Sequence, residues 1–480
     1  MSQNRNIYKA GMGYVIGNYL LKGISFLTIP LFTRLMTISD YGIYNTFIAY
    51  ESILYIFIGF ALHSSYKNAK YKFENNIDNI SKGLDYDTYV STTIIFILLN
   101  SVLFLFLIVA LHDVVTDFLE LNITSLFLLI LYSSGTALIA CYNAYIGLEY
   151  RYKTFIIVSA FNALTNIFFS VFLMLFIFPN DRYLSRIIGT TIPVIIISVY
   201  IVIIFLKNRT PKNLCLFWKW GIKYSLPIIP HGISQVILSQ FDRIMINKMI
   251  NAASAGIYSF AYNIYAIIAV TAISLDNVWN PWFYEQMHQK NYNNIKERSS
   301  IYVVVMMLLT TVVIMISPEI VIILGSKDYW EATYSVIPIV TGGYFAFLYT
   351  IPASVEYYYE KTKFIAFGTV TAAIVNIILN TVFIDCIGYI AAAYTTLFTY
   401  ILYFIFHYVL AKKIYGSYLF SNKIILGSSC IIIIISFISN IFIKHIVFRW
   451  GIAVVLGIFL ITIEEKYLKL LKKIIFKCFS

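Results

Sequence analysis

The chain predicts an all-α polytopic membrane protein, on three observations. Fourteen apolar stretches follow one another from about Tyr14 to Ile463, each close to the roughly 20 residues that a spanning helix needs. Charged residues are 12% of the 480, hydrophobic residues are 60%, and mean hydropathy is +0.79, whereas a soluble domain carries about 25% charge. The remaining charges stand in short blocks between the apolar stretches. Fourteen spans use roughly 280 residues and leave connections of roughly 13 each. No soluble catalytic domain fits in that remainder.

The spans are predicted at about 14–32, 42–61, 89–110, 124–146, 154–178, 184–206, 222–241, 255–274, 301–324, 334–357, 364–384, 389–410, 424–443 and 446–463. The first lacks a small-residue cleavage site and carries Lys22, so it reads as a retained helix rather than a signal peptide. The second carries Glu51 near its middle. The next four are continuous apolar runs separated by polar or basic breaks. The seventh is interrupted by Pro227, Pro230 and Gly232 and is followed at once by Asp242 and Arg243. The remaining seven alternate with short loops, and a basic tail follows the last.

With the N-terminus placed in the cytoplasm, 26 Lys and Arg fall on the inner side and 8 on the outer side: Arg34, Arg182, Arg186, Arg243, Lys248, Lys327, Lys444 and Arg449. Positive residues favour the cytoplasmic face, so this split supports the orientation and the span count, with both termini cytoplasmic. The net charge of +12 thereby reads as topology signal and contact with anionic headgroups, not as a nucleic-acid surface. All six Trp, at 218, 220, 279, 282, 330 and 450, fall at predicted span ends, where indole rings anchor to headgroups.

Two segments echo each other. Arg34 through Gly42-Ile43-Tyr44 reads against Lys248 through Gly256-Ile257-Tyr258 at an offset of 214 residues. Arg151-Tyr152-Lys153 with Asn166 reads against Lys361-Thr362-Lys363 with Asn376 at an offset of 210. Both shifts equal six spans. The expected organisation is therefore a first lobe at 1–210, a second at 211–415, and two added helices with the tail at 416–480, with a substrate site between repeated halves near the midplane.

Several chemistries find no support. The five Cys are scattered and the six His form no metal-ligand spacing. No Walker motif or glycine-rich phosphate loop is present, so no cofactor and no bound ATP are expected. The longest outer connections are about ten residues, too short for the outer catalytic loop of a membrane polymerase. The chain reads as something other than an enzyme.

Ionisable and polar residues inside spans then carry the functional reading, because a charge at mid-membrane costs about 2.5–3.5 kcal/mol on insertion scales. Lys22 and Glu51 lie at similar depth on antiparallel neighbours. They read either as a phosphate-attracting cation with a titrating or cation-binding acid, or as a buried ion pair. His231, Gln235, Ser239 and Asp242 recur at helical spacing and predict one polar face on the seventh span. Arg34, Arg243 and Lys248 predict positive charge at the outer mouth, with headgroup contact as the competing reading. Tyr258, Tyr262 and Tyr265 form a stripe suited to stacking on sugars, although core packing explains it as well. Asn162 with Asn166, and Asn376 with Asn380, suit interhelix hydrogen bonding or substrate contact. Glu356, at the inner end of the tenth span, reads as interfacial.

With Pro30 through Gly42-Ile43-Tyr44, Leu226-Pro227, Asp242-Arg243, Gly256-Ile257-Tyr258 and the Glu149-Tyr150-Arg151-Tyr152-Lys153 loop, the chain resembles the polysaccharide-biosynthesis flippases of the multidrug/oligosaccharidyl-lipid/polysaccharide exporter superfamily. These are the O-antigen and capsule repeat-unit translocases, and the resemblance covers essentially the whole chain. It implies two six-helix lobes in a V around a cationic cavity and alternating access. It also implies an undecaprenyl-diphosphate-linked oligosaccharide as substrate, with membrane lipids, H+ or Na+ and the polysaccharide polymerase machinery as partners. Lipid II flippases of the superfamily tend to carry several cavity arginines, whereas one clear mid-span cation stands in the first half here. The rival readings are a multidrug/cation antiporter of the same superfamily and a membrane polymerase or ligase acting on lipid-linked sugars.

Overall fold

The computed structural model describes residues 13, 17, 22–74, 85–208, 211–417 and 419–463, and among these every regular element is helical. The protein is a multi-pass membrane protein: among the described residues ten helices are long and apolar enough to cross a bilayer, or eleven when a bent pair counts as one span. Of the fourteen predicted spans, the first lies partly outside the described residues. The second is the bent pair. The seventh is broken, and the fourteenth is the 18-residue helix Ile446–Ile463.

The chain runs through α1 (22–35), α2 (Ile38–Gly59), α3 (Tyr66–Glu74), α4 (Tyr86–Ala110), α5 (His112–Leu119), α6 (Ile123–Leu148), α7 (Tyr152–Phe172) and α8 (Arg182–Asn208). It continues through α9 (Leu214–Ser225), α10 (Ile229–Val236), α11 (Asp242–Met249), α12 (Ala252–His288), α13 (Tyr292–Leu324), α14 (Thr333–Leu348) and α15 (Thr350–Tyr358). The last helices are α16 (Thr362–Ile387), α17 (Ile390–Tyr415), α18 (Asn422–Ile441) and α19 (Ile446–Ile463). Residues up to Gly256 form one compact unit and those from Ile257 onward a second.

Local chemistry sets the main breaks in the first unit. Thr37 and Asp40 form a capping box that starts α2: Asp40 N–H donates to Thr37 Oγ1 at 3.1 Å, and Thr37 N–H donates to Asp40 Oδ2 at 3.2 Å. At the far end, Phe60 and Ala61 both adopt φ of 49°. That left-handed pair bends the following helix by 54° from α2 at a cost of about 1–2 kcal/mol per residue. The Ala61 carbonyl is held in place by Ser64 Oγ at 2.7 Å and by Ser225 Oγ at 3.2 Å.

The echoed motifs meet in space. A Cβ added at Gly42 would lie 1.7 Å from the Ala252 carbonyl oxygen, and one at Gly256 would lie 2.2 Å from that of Ile38. The 214-residue offset carries Ile38 onto Ala252 and Gly42 onto Gly256. The contact therefore maps onto itself under the repeat, as a two-fold contact does. Only glycine tolerates this approach at either position.

The predicted seventh span becomes three pieces. α9 ends at Ser225, the chain turns at Leu226–Ile228, and α10 starts with Pro230 in its first turn, where a missing N–H costs nothing. A π-turn over Ile237–Phe241 then joins α10 to α11.

In the second unit, α12 and α13 have 37 and 33 residues; α12 is about 55 Å long, well beyond one bilayer crossing. The predicted loop 275–300 is therefore mostly helix. Trp279, Phe283 and Met287 face inward from it and continue the apolar stripe of α12. Trp279 is accordingly packed rather than anchoring outward: it stacks on Phe283 at 5.4 Å and donates to Ser354 Oγ at 3.1 Å. α18 and α19 pack on α13. Pro318 lies inside α13 and cannot donate to the Ile314 carbonyl, which instead accepts from Ser317 Oγ at 2.8 Å.

Candidate functional site

The first unit gathers a polar ridge on α1, α2, α6 and α8. Arg186, one turn into α8, is half-buried, and its guanidinium carbon lies 3.7 Å from the Phe32 ring centroid and 4.9 Å from that of Tyr44. Its Nη1 donates to Asn166 Oδ1 at 2.5 Å and to Ser170 Oγ at 2.7 Å. Neutral oxygens and ring faces thus hold this cation, with no carboxylate among its hydrogen-bond partners. Tyr44 shares a hydrogen bond with Thr190 at 3.3 Å, and Tyr132 of α6 lies within electrostatic reach of Arg186, Tyr44 and Glu51.

Glu51 closes the ridge. It is 6% exposed, its Oε1 has no hydrogen-bond partner, and Thr136 of α6 is its polar neighbour. Lys22 is exposed on α1, and no ion pair joins it to Glu51 among the described residues. The ion-pair alternative for these two is therefore absent from this structure. Arg186 is the group that sequence reasoning missed. It was counted with the outer topology signals, because a cation at a helix start and one a turn inside it look alike in a hydropathy pattern. Its offset of four from Arg182, which donates to the Leu35 carbonyl, was the available signal.

The polar stripe of the seventh span is divided by the π-turn. One inserted residue rotates everything after it by about a third of a turn, so Asp242 no longer continues the face of His231 and Gln235. His231 and Gln235 are half-buried, and His231 Nδ1 has no hydrogen-bond partner. Asp242 and Arg243 are buried, and Arg243 donates to the Ser239 carbonyl at 2.8 Å and to Gln240 Oε1. Ser239 Oγ donates to the Gln235 carbonyl at 2.9 Å. Arg34 is exposed and donates to the Pro30 carbonyl at 2.9 Å. Lys248 is exposed, sits 3.9 Å over the Phe118 ring and donates to the Phe118 carbonyl.

Residues of the second unit are more enclosed. Tyr258 and Tyr262 are 0% and 9% exposed, with ring centroids 5.3 Å apart. Asn376 and Asn380 are buried on α16 and bond across to α17: Asn376 Nδ2 donates to Thr396 Oγ1 at 3.0 Å, and Asn380 Oδ1 accepts from Thr395. Glu356 is not interfacial. It is fully buried, 2.6 Å from His407 Nδ1. Arg449, which counted as an outer topology charge, is buried against α13. It meets the Glu319 carboxylate through Nη1 at 3.0 Å and Nη2 at 2.5 Å and also donates to the Met315 carbonyl.

Comparisons with known proteins follow the same lines. Among solved structures, an inward closed conformation of the lipid II flippase MurJ superposes with a TM-score of 0.70 at 16% identity, covering 94% of this chain and 98% of that one. An inward-facing multidrug resistance MATE family transporter of the MOP superfamily gives 0.61 at 12% identity over 82% and 98%. The fold is therefore shared with these transporters. A Haemophilus influenzae protein described as Lsg locus putative protein 1 is 21% identical over 386 residues, or 77% of this chain and 90% of its own length. The family model described as polysaccharide biosynthesis protein matches residues 8–287, more than half of the chain, which belongs to that family.

Proposed function

We propose that this chain flips undecaprenyl-diphosphate-linked oligosaccharide repeat units from the inner to the outer leaflet of the bacterial cytoplasmic membrane, by alternating access coupled to a proton or sodium gradient. Membership of the polysaccharide biosynthesis family supports the pathway, and the fold shared with a lipid II flippase supports a lipid-linked cargo. The observation that carries the reading is Arg186. A half-buried guanidinium stacked on Phe32 and Tyr44 uses Nη1 on neutral oxygens, which leaves donors and an uncompensated charge for a phosphate. Arginine's planar fork suits that role.

In this reading Lys22 and Arg186 attract the diphosphate, and Glu51 carries the coupling ion. Arg34, Arg243 and Lys248 bias the outer mouth. His231, Gln235 and Ser239 solvate sugar as access alternates, while the polyprenyl tail stays in lipid. The chain is then a transporter, not a polymerase or ligase.

The test is the location of the stalled precursor. Cells lacking the protein should accumulate single lipid-linked repeat units on the inner leaflet, and vesicles holding the purified chain should move such units across. Accumulation on the outer leaflet would favour a polymerase or ligase. Movement of cationic drugs but not of lipid-linked sugar would favour the antiporter.

A further inference from the structure

We propose that Glu356 and His407 form a proton-binding site in the second unit that exchanges one proton per transport cycle. The proposal deepens the reading above and rests on it for its place in the cycle.

Glu356 of α15 and His407 of α17 have fully buried side chains joined at 2.6 Å through Oε1 and Nδ1. The outer atom of each, Glu356 Oε2 and His407 Nε2, has no hydrogen-bond partner. A pair serving only to fasten two helices gains most when its remaining lone pairs and protons are satisfied. Here one acceptor atom and one ring nitrogen are left over, and these are the atoms that can gain or lose a proton without breaking the bond between the partners. With the proton bound, the pair is an imidazolium facing a carboxylate, or a neutral imidazole facing a carboxylic acid; both are net neutral. With the proton gone, Nδ1–H donates to the carboxylate and the pair carries one negative charge. Such a pair titrates as one unit.

Among the described residues, His407 is the only cation acting on the Glu356 carboxyl, and the lysines nearest in sequence to the pair, Lys361, Lys363 and Lys412, are exposed. On α17, the Tyr403 ring lies 4.5 Å from the imidazole, and its hydroxyl bonds Thr369 of α16 at 2.8 Å. Between α14 and α15, the Tyr349 ring lies 5.6 Å from the imidazole. Tyr357 of α15 follows Glu356 and lies within electrostatic reach of Asp276 on α12, a second acid. From α16, Gly368 and Thr369 approach. A net negative charge enclosed by tyrosines and one distant carboxylate is disfavoured, which links loss of the proton to opening of the site.

Release requires the helices around it to part, and α16 has room to move. A cavity of about 110 Å³ between α16 and α17 is bordered by Gly368, Ala372, Tyr403 and Phe406. At its edge, a Cβ on Gly368 would come within 3.1 Å of His407 Nε2. Gly368 borders the cavity on one side and packs closely on the orphaned nitrogen on the other, which ties proton occupancy to the packing of α16 against α15 and α17. A two-state helix arrangement would bias the proton, and the proton would bias the arrangement in return.

The first measurement uses the unmodified chain in lipid nanodiscs. Nitrogen-15 shifts of His407 should report a change of protonation between about pH 5 and about pH 9; shifts that stay constant across that window overturn the proposal. The second compares proton uptake after a pH step. Glu356→Gln/His407→Gln should take up about one proton fewer per chain than the unmodified protein, and equal uptake overturns the site. In vesicles, an imposed proton gradient should accelerate flipping by the unmodified chain, and the double variant should lose that acceleration while still moving substrate downhill. Undiminished acceleration in the variant sinks the coupling role. Failure of the unmodified chain to move any lipid-linked sugar sinks the transport reading instead, and the titration still decides the site.

Discussion

The charged groups singled out in the two units are held in different ways. In the first, Arg186 rests on rings and neutral oxygens, Lys22 is exposed, and Glu51 keeps an oxygen without a partner. In the second, Glu356 meets His407, Glu319 meets Arg449, and Asn376 and Asn380 are tied to threonines of the next helix. An uncompensated charge in a low-dielectric interior is costly, so a fold that keeps several on one side keeps them for a ligand. Paired groups instead hold helices together or exchange a proton within the pair. In the proposed reading, the cations that meet substrate stand in the first unit, and a pair that exchanges a proton stands in the second.

The largest cost to the fold is expected at Arg449. Arg449→Ala would remove the guanidinium from the Glu319 carboxylate, which keeps Trp450 as a donor, and from the Met315 carbonyl. The expected destabilisation is about 2–3 kcal/mol, below the full range because Glu319 is 24% exposed. Thermal unfolding in detergent measures it. Glu319→Gln/Arg449→Met should recover most of the loss, and flipping per folded molecule should stay near the unmodified level. A variant that folds normally yet cannot transport would move Arg449 to the substrate side of the comparison.

Arg186→Ala comes next. It would remove the charged donor from Asn166 Oδ1, which keeps Ser170 Oγ at 3.5 Å, and from Ser170 Oγ itself, for about 1–2 kcal/mol, and it should abolish flipping. Arg186→Lys sharpens the test, because lysine keeps the charge but loses the planar stacking on Phe32 and Tyr44. Most of the stability should return, while flipping stays at least about tenfold down, equivalent to roughly 1.4 kcal/mol of lost binding. Lys22→Ala should leave the melting temperature unchanged, since the side chain is exposed and unpaired with Glu51, and should abolish export. Normal export by that variant would remove Lys22 from the substrate site.

The spans were legible because hydropathy averages over roughly 20 residues and survives local irregularity. The two echoed segments were legible as sequence, and their glycines, Gly42 and Gly256, touch. Pairings were not legible. Glu356 and His407 stand 51 residues apart, and nothing local marks either as the other's partner. Arg449 and Glu319, 130 apart, pass for two charges at span ends. The π-turn at Ile237–Phe241 escaped for a different reason: its residues suit an ordinary helix, and only packing selects the wider turn. Proline positions announced the break before α10, but they carry no information about the rotation after it.

The smallest expected change to the fold is Glu51→Gln, and it is the most direct probe of the contrast between the units. Glutamine keeps the volume and can still pair with Thr136, while it cannot carry a charge. Because Glu51 Oε1 has no donor to lose, the variant should melt at or slightly above the unmodified protein. Its effect belongs in transport: the dependence of flipping on pH or sodium should flatten, with downhill movement retained. The double variant at Glu356 and His407 should flatten the proton dependence alone. A sodium response that disappears only with Glu51, and a proton response that disappears only with the second-unit pair, would assign one ion to each unit. If Glu51→Gln leaves both responses intact, its carboxyl is a structural group, and the second unit carries the coupling by itself.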